Sequence, residues 1–377
     1  MLKVLFLTTS HSYKDDRIFY HQARELSRQG YEVRICSLCS DYQGFIDGVS
    51  IEAYSVLQES IAIKKQVFQR VCDAFQPDCI ICSEPLAVIA VKKFVKEHKI
   101  SCLYDVTEWY PAMSMLEGYR FPVNIVHAVK FFLINLYAGF LSTHFIFGEQ
   151  TKKFPLAWFF WFKKHIILPY YPDPAYTSEN IKKLEPGMIT LCYTGHISKD
   201  KGIGNFFKAV AQVRRQLPSL KIKVLIIGGT RQQSDEDYFA GLLNEYNFDG
   251  VEVRKPTSFE HFTEAFSDAD LCFDLREFNF ENHHSLPIKL FYFMAAGKPV
   301  IYSNLKGIRK HMGKLSFGYL VDPGNEKIIS DIIIKYVKNP HLYETHALNA
   351  KKDFREKYNW KIINHSFLDF VKRAIDQ

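Results

Sequence analysis

SLPIKLFYFMAAGKPVIYSN, residues 285–304, reads as one helix running straight into one strand. Pro287 suits a first helical turn, where a backbone N–H has no intrahelical partner and a preset φ helps. Gly297 suits the stop, because glycine enters the left-handed conformation without steric cost. The β-branched and apolar VIYS that follows reads as a strand. A helix joined to a strand by so short a turn is a unit of a parallel α/β sheet.

The same alternation extends in both directions. Downstream of residue 180, ITLCYTG (189–195), KVLIIGG (223–229), GVEVRKP (250–256), ADLCFDL (269–275), KPVIYS (298–303) and FGYLVDP (317–323) are separated by helix-length segments. Upstream, KVLFLTTS (3–10), YEVRICS (31–37), PDCIICSE (77–84), SCLYDVTE (101–108), THFIFG (143–148) and HIILPY (165–170) repeat the pattern. Runs apolar on both faces are expected of parallel strands covered by helices on both sides. Two Rossmann-like domains of an α/β class follow, and 377 residues exceed what one core usually spans. Pro169, Pro172 and Pro174 place the boundary near Asp173, giving domains 1–172 and 173–357. A helical pattern from Arg17 to Gln29, capped by Asp15 or Asp16, ends at Gly30. The stretch from Trp360 to Ile375 reads as an amphipathic helix with Ile362, Ile363, Phe367, Phe370 and Val371 on its apolar face.

Composition excludes several classes. Hydrophobic residues make up 47% and charged residues 24%, a globular balance with no low-complexity tract. The net charge of +7 is modest and its cations are scattered, so no nucleic-acid partner is expected. Cys36 with Cys39, and Cys79 with Cys82, have CxxC spacing, but residues three apart on a strand point to opposite faces, so no metal is expected. The first strand-to-helix turn, TTSHSYKDD, has no glycine to admit a pyrophosphate, which argues against a dinucleotide enzyme. The N-terminus lacks a secretory apolar core, so a cytoplasmic location is expected.

Two segments raise the question of a membrane. Phe131–Gly148 carries no Asp, Glu, Lys or Arg, but Asn135, Ser142, Thr143 and His144 interrupt it, which favours a helix followed by a buried strand over a bilayer span. TKKFPLAWFFWFKK, residues 151–164, sets Trp158, Phe159, Phe160, Trp161 and Phe162 between lysine pairs. That is the composition either of an anchor at an anionic membrane surface or of an aromatic packing face.

The opening segment resembles the donor-site helix of family-four glycosyltransferases, whose usual text is close to LPNKLFEYMAAGKPVI. YTGHISKDKGIGNFF (193–207), DDRIFYHQARELSRQGYEV (15–33), YDVTEWYP (104–111) and the Pro323-Gly324 turn are similar to further stretches of that family. The likeness is weakest between Met113 and Ile166. It extends to bacterial capsular and surface-polysaccharide enzymes. The resemblance implies a GT-B fold: two Rossmann-like domains facing across a cleft, an acceptor domain first and a nucleotide-sugar domain second, with the helix within 358–377 returning to the first. It also implies transfer of a sugar from a nucleoside-diphosphate sugar to a glycan or lipid-linked acceptor, with retention and with no metal or other cofactor.

The resemblance assigns donor binding to Gly195, His196, Lys201, Ser285, Leu286, Lys289 and Tyr292. It places Lys201, Thr107 and Glu108 at the chemistry, and His11, Asp16 and Arg17 on the acceptor side. Four positions depart from the family pattern. Tyr292 stands where a glutamate grips the ribose, a difference worth roughly 1–3 kcal/mol of hydrogen bonding. His196 replaces an arginine's permanently charged fork. Thr107 replaces a histidine, and His284 stands where many members have a second glutamate. His283 and His284 sit at the entrance of the donor helix and either stand in as phosphate donors or are incidental. The departures leave open a catalytically retired subunit that holds a glycan or partner enzyme. A sugar-nucleotide epimerase is the other alternative.

Overall fold

The computed structural model describes residues 1–376, apart from the side chain of Ser114. It has two compact units, Met1–Tyr170 together with the stretch from Ile363, and Tyr171–Ile362. Each is a helix-covered sheet whose topology is the doubly wound one.

The first sheet contains β1 (Lys3–Thr8), β2 (Glu32–Ser37), β3 (Cys39–Ile46), β4 (Val49–Ser55), β5 (Cys79–Cys82), β6 (Ser101–Val106), β7 (His144–Phe147) and β8 (His165–Ile167). Their spatial order is β3-β4-β2-β1-β5-β6-β7-β8, and every pairing is parallel except β3 with β4. β1 is central and Val4, Leu5, Phe6 and Leu7 are fully buried, as the doubly apolar run predicts. The β3–β4 hairpin is an element the strand reading passed over. Its signal was Asp47-Gly48, both at positive φ, flanked by the period-two burial of a half-covered ribbon.

The second sheet contains β9 (Met188–His196), β10 (Lys221–Gly229), β11 (Val251–Arg254), β12 (Leu271–Asp274), β13 (Val300–Ser303) and β14 (Gly318–Val321). The order is β11-β10-β9-β12-β13-β14, all parallel. In both sheets the chain starts in the middle, winds to one edge, then returns to build the other. The turning point lies between β1 and β5 in the first and between β9 and β12 in the second. Ligands of such sheets bind beyond the carboxyl ends of the strands at this point, where the two flanking loops diverge.

The opening segment forms the helix Lys289–Ala295, then Gly297 at φ +69, then β13. The helix after β1 is capped by Asp15, which accepts from the amides of Arg17 and Ile18, both at 3.0 Å. Its first turns, Asp16–Ala23, are π-wound and continue as an α-helix over Arg24–Arg28. The last helix spans Trp360–Ile375. Phe367, Phe370 and Val371 of its predicted face are buried, whereas Ile362 is exposed. Gln377, the end of the predicted returning segment, lies outside the described residues. All eight cysteines are free thiols, and Cys79 and Cys82 are fully buried on β5.

Candidate functional site

Two polar clusters lie at the two turning points, one in each unit. In the second unit, β9 ends at Gly195 and His196, and β12 ends at Asp274 with Arg276 just beyond. Gly195 has φ +107, and a Cβ there would stand 2.8 Å from Lys289 Nζ. Only glycine therefore lets the donor-helix lysine lie across the strand end. Lys289 donates to the carbonyl of Thr194 and pairs with Asp274 at 3.2 Å. Burial lowers the Lys289 pKa, opposed by the Asp274 charge.

Asp274 is the hub. It accepts from Arg276 Nε at 2.7 Å and Nη2 at 2.5 Å, and from the Tyr302 hydroxyl at 3.1 Å. Burial alone would raise its pKa, but Arg276 and Lys289 outweigh that and hold the carboxyl well below the usual range. Arg276 Nη1 also reaches Ser285 Oγ at 3.4 Å, which ties the end of β12 to the start of the donor-helix turn. Leu286 is half-buried next to it.

Lys201 belongs to the same cluster, since its charge adds to the repulsion felt by Lys289. Its ammonium is aimed by Asn282 Oδ1 at 3.1 Å and Asp200 at 2.9 Å. Asn282 is buried and its amide donates to the carbonyls of Asp200 and Glu277, so it clamps both loops. Gly202, at φ +81, permits this approach, because a Cβ would overlap the Leu275 carbonyl oxygen at 1.9 Å. The three cations Lys201, Lys289 and Arg276 thus converge at the turning point against Asp274 and Asp200. Such an array can hold a polyanion.

His196 pairs through Nε2 with Asp235 at 3.1 Å. His284 Nδ1 donates to the Phe280 carbonyl at 2.8 Å, and its Nε2 lies 3.3 Å from the Lys306 ammonium. Burial, then the charges of His284, Arg309 and Lys306, lower the His283 pKa. Tyr292 is 4% exposed and packs edge-on against Phe262 at 5.4 Å, a core position on the short helix.

In the first unit, Glu84 follows β5 and accepts from Thr8 Oγ1 at 3.1 Å, the Thr9 amide at 2.9 Å, and the Ser10 amide and hydroxyl at 3.1 and 2.9 Å. This carboxylate moulds the loop that presents His11. His11 Nδ1 meets Asp15 at 3.1 Å, and its Nε2 is 3.7 Å from Glu84. Burial works against the imidazolium, but the bond to Asp15 and the charges of Asp15, Glu84 and Glu108 prevail and raise its pKa to about 9. Asp16 is pushed up to about 6 by burial and by Asp15. Glu108 is exposed, and Thr107 is buried with no hydrogen-bond partner for its Oγ1.

The sign of the His11 effect is fixed by its raised value. Its stabilising contribution is fully present below the unfolded pKa of about 6.5 and is lost as pH rises through about 9. Denaturant unfolding of the wild type should therefore weaken by on the order of 1–3 kcal/mol over that window. His11→Asn should flatten the profile, and parallel profiles would show that the three carboxylates do not hold the proton.

Arg17 is 2% exposed, with Nε and Nη2 on Asp105 at 2.8 and 2.7 Å, Nη1 on the Leu168 carbonyl at 2.8 Å, and its guanidinium stacked on Tyr170. It ties the first helix to β6. The residues missed in the sequence are Asp274, Arg276, Asn282 and Glu84. Asp274 and Arg276 had a legible signal, since two opposite charges two apart at a strand end fall on one face. Asn282 had none.

Residues 177–353 match the family described as glycosyl transferases group 1. The chain is 25% identical over 198 residues to an uncharacterized glycosyltransferase of Methanocaldococcus jannaschii, covering 52% of this chain and 48% of that one. It is also 25% identical over 203 residues to the capsular polysaccharide biosynthesis glycosyltransferase CapM of Staphylococcus aureus, covering 52% and 50%. The chain thus spans about half the length of the curated relatives it matches. In backbone it is similar to sucrose-phosphate synthase from Thermosynechococcus elongatus, with TM-score 0.76, 14% identity and full coverage of both chains. It is likewise similar to Anabaena HepE in complex with UDP and glucose, with TM-score 0.70, 14% identity, and coverage of 99% and 100%. These likenesses give the fold as GT-B.

Proposed function

We propose that this chain, whose residues 177–353 match the group 1 glycosyl transferases and whose backbone has the GT-B fold, moves a sugar from a nucleoside-diphosphate sugar to a glycan or lipid-linked acceptor. The observation that carries the reading is the convergence of Lys201, Lys289 and Arg276 at the turning point of the second sheet. When the sugar departs, negative charge develops on the diphosphate, and fixed cations stabilise that charge without reorganising. They also supply what a bound metal would, which supports transfer that survives chelation by EDTA. HepE was solved with UDP, so UDP is the first probe.

Retention of anomeric configuration, as in family four, and a cytoplasmic location at the inner face of the cell membrane are parts of the same reading. Within it, residues 173–357 bind the donor and residues 1–172 the acceptor. Glu108 and the loop bearing His11 and Asp16 serve the acceptor side, and a cationic His11 would favour an acceptor carrying hydroxyls or negative charge. Calorimetric titration with UDP tests the donor site. Lys201→Ala should weaken binding roughly tenfold or more, in line with the loss of one charge-assisted bond. Equal affinity in both proteins would remove Lys201 from the phosphates.

The burial of Tyr292 favours a second reading, a subunit that has lost catalysis and retains a glycan or partner enzyme. Incubation with a panel of nucleotide sugars separates the two. An active site releases nucleoside diphosphate slowly even without acceptor, whereas a retired one releases none.

A further inference from the structure

One face of the first unit is apolar and exposed. The helix Val123–Leu141 is long and apolar enough to cross a membrane, yet only 17% of its apolar window is buried. Val126, Val129, Leu133, Tyr137 and Phe140 form a stripe along its outer side, each exposed. Beside it the chain turns through Phe154–Phe162, where Trp158 and Trp161 are 74% and 78% exposed. Soluble proteins rarely leave so much contiguous apolar surface to water.

The helix and the aromatic turn are one rigid piece. A Cβ on Gly139 would stand 2.6 Å from Leu156 and 2.8 Å from Phe160, so the two backbones meet closely there. Lys163 from the turn donates to the carbonyls of Gly139 and Phe140 at 2.7 and 2.8 Å, and to that of Ser142, capping the helix end.

Charge says what covers this face. From Gly118 to Pro172 the sequence holds six Lys or Arg and a single carboxylate, Glu149. That carboxylate is buried and paired with Lys152 at 3.1 Å. Within this stretch exposed cations such as Lys130 and Lys164 accompany exposed tryptophans and aliphatics, and Lys92 adds a further ammonium at Tyr137, a composition complementary to anionic headgroups over acyl chains. The opposite face of the helix is fixed to the sheet. Asn135 accepts from the Tyr104 hydroxyl of β6 at 3.0 Å, and Ala138 lies in the core. A spanning helix would be lipid-covered all round, and here the domain occupies one side.

We propose that this face docks on an anionic phospholipid bilayer, with the helix Val123–Leu141 lying in the interfacial plane and Trp158 and Trp161 inserted beside it. The inference gives the membrane placement in the proposed function a surface and an orientation, and rests on that placement only. The full chain should cosediment with vesicles of phosphatidylcholine mixed with phosphatidylglycerol, and release as salt is raised. Its tryptophan emission should shift to the blue and be quenched by lipids brominated near the headgroup. Trp158→Ser with Trp161→Ser should lower the bound fraction roughly tenfold or more. Lys130→Glu with Lys164→Glu should remove the preference for anionic over pure phosphatidylcholine vesicles, since each near-surface cation is worth about fivefold.

All these positions are exposed, and circular dichroism with a urea unfolding curve of each variant reports whether the first unit stays folded. An unchanged unfolding transition with lost vesicle binding supports the surface. No binding of the wild type to mixed vesicles overturns it, as does equal binding to both vesicle types. Light scattering that shows a dimer, dissolved by the same tryptophan substitutions, would assign the face to a second copy and overturn it too.

Discussion

Asp274→Ala should lower the melting transition of the second unit by about 6–20 °C, the thermal equivalent of losing about 3–5 kcal/mol. The carboxylate pairs with Arg276, whose side chain is 11% exposed, and also with Lys289. Without it two cations face each other in a low-dielectric pocket, and the Tyr302 hydroxyl loses its acceptor. Asp274→Asn should cost less, because the amide oxygen still accepts one of Arg276's bonds. Differential scanning calorimetry separates the two variants. The pH dependence follows from the depressed pKa. The stabilisation is present above the unfolded value of about 4 and is lost as pH falls towards the folded one. The alanine variant should therefore be less acid-sensitive than the wild type. An Asp274→Ala protein that melts with the wild type would mean that solvent reaches Arg276 and screens it.

The second large effect is expected at Asp105. Its oxygens take Arg17 in a two-point grip and also accept from Gln22 at 2.8 Å. Asp105→Ala leaves a guanidinium buried with only the Leu168 carbonyl and the Tyr170 ring, at a cost of about 3–5 kcal/mol to the first unit. Arg17→Met with Asp105→Leu should recover most of that, since a well-packed apolar pair often equals a buried ion pair. A double-mutant cycle by urea unfolding measures the coupling. If Arg17 is a structural tie, the double variant keeps UDP affinity and any acceptor-dependent turnover. Loss of turnover in a stable double variant would return Arg17 to the acceptor side.

Tyr292 and Arg17 show where sequence reasoning stops. Tyr292 and Lys289 are three apart on one short helix, and the family text treats both as donor ligands. Which of them reaches a ligand depends on what packs against the helix. Phe262, thirty positions upstream, covers Tyr292, while Gly195 opens a path for Lys289. The burial of Arg17 is illegible in the sequence for a similar reason. A lone arginine on an amphipathic helix reads as a surface cation until Asp105, 88 residues away, is brought beneath it.

The sequence by itself determined the two doubly wound sheets, because local signals suffice for them. Runs apolar on both faces require burial on both sides, and prolines, glycines and capping aspartates mark where each element starts and stops. It also marked the segment 285–304 as a helix running into a strand, and the aromatic turn 151–164 as a candidate surface. Tertiary structure alone decided which charges are buried against each other, which are free to meet a ligand, and that the helix Val123–Leu141 is exposed rather than interior. Those outcomes depend on burial and on contacts between residues far apart in the chain. Periodicity and capping carry no information about either.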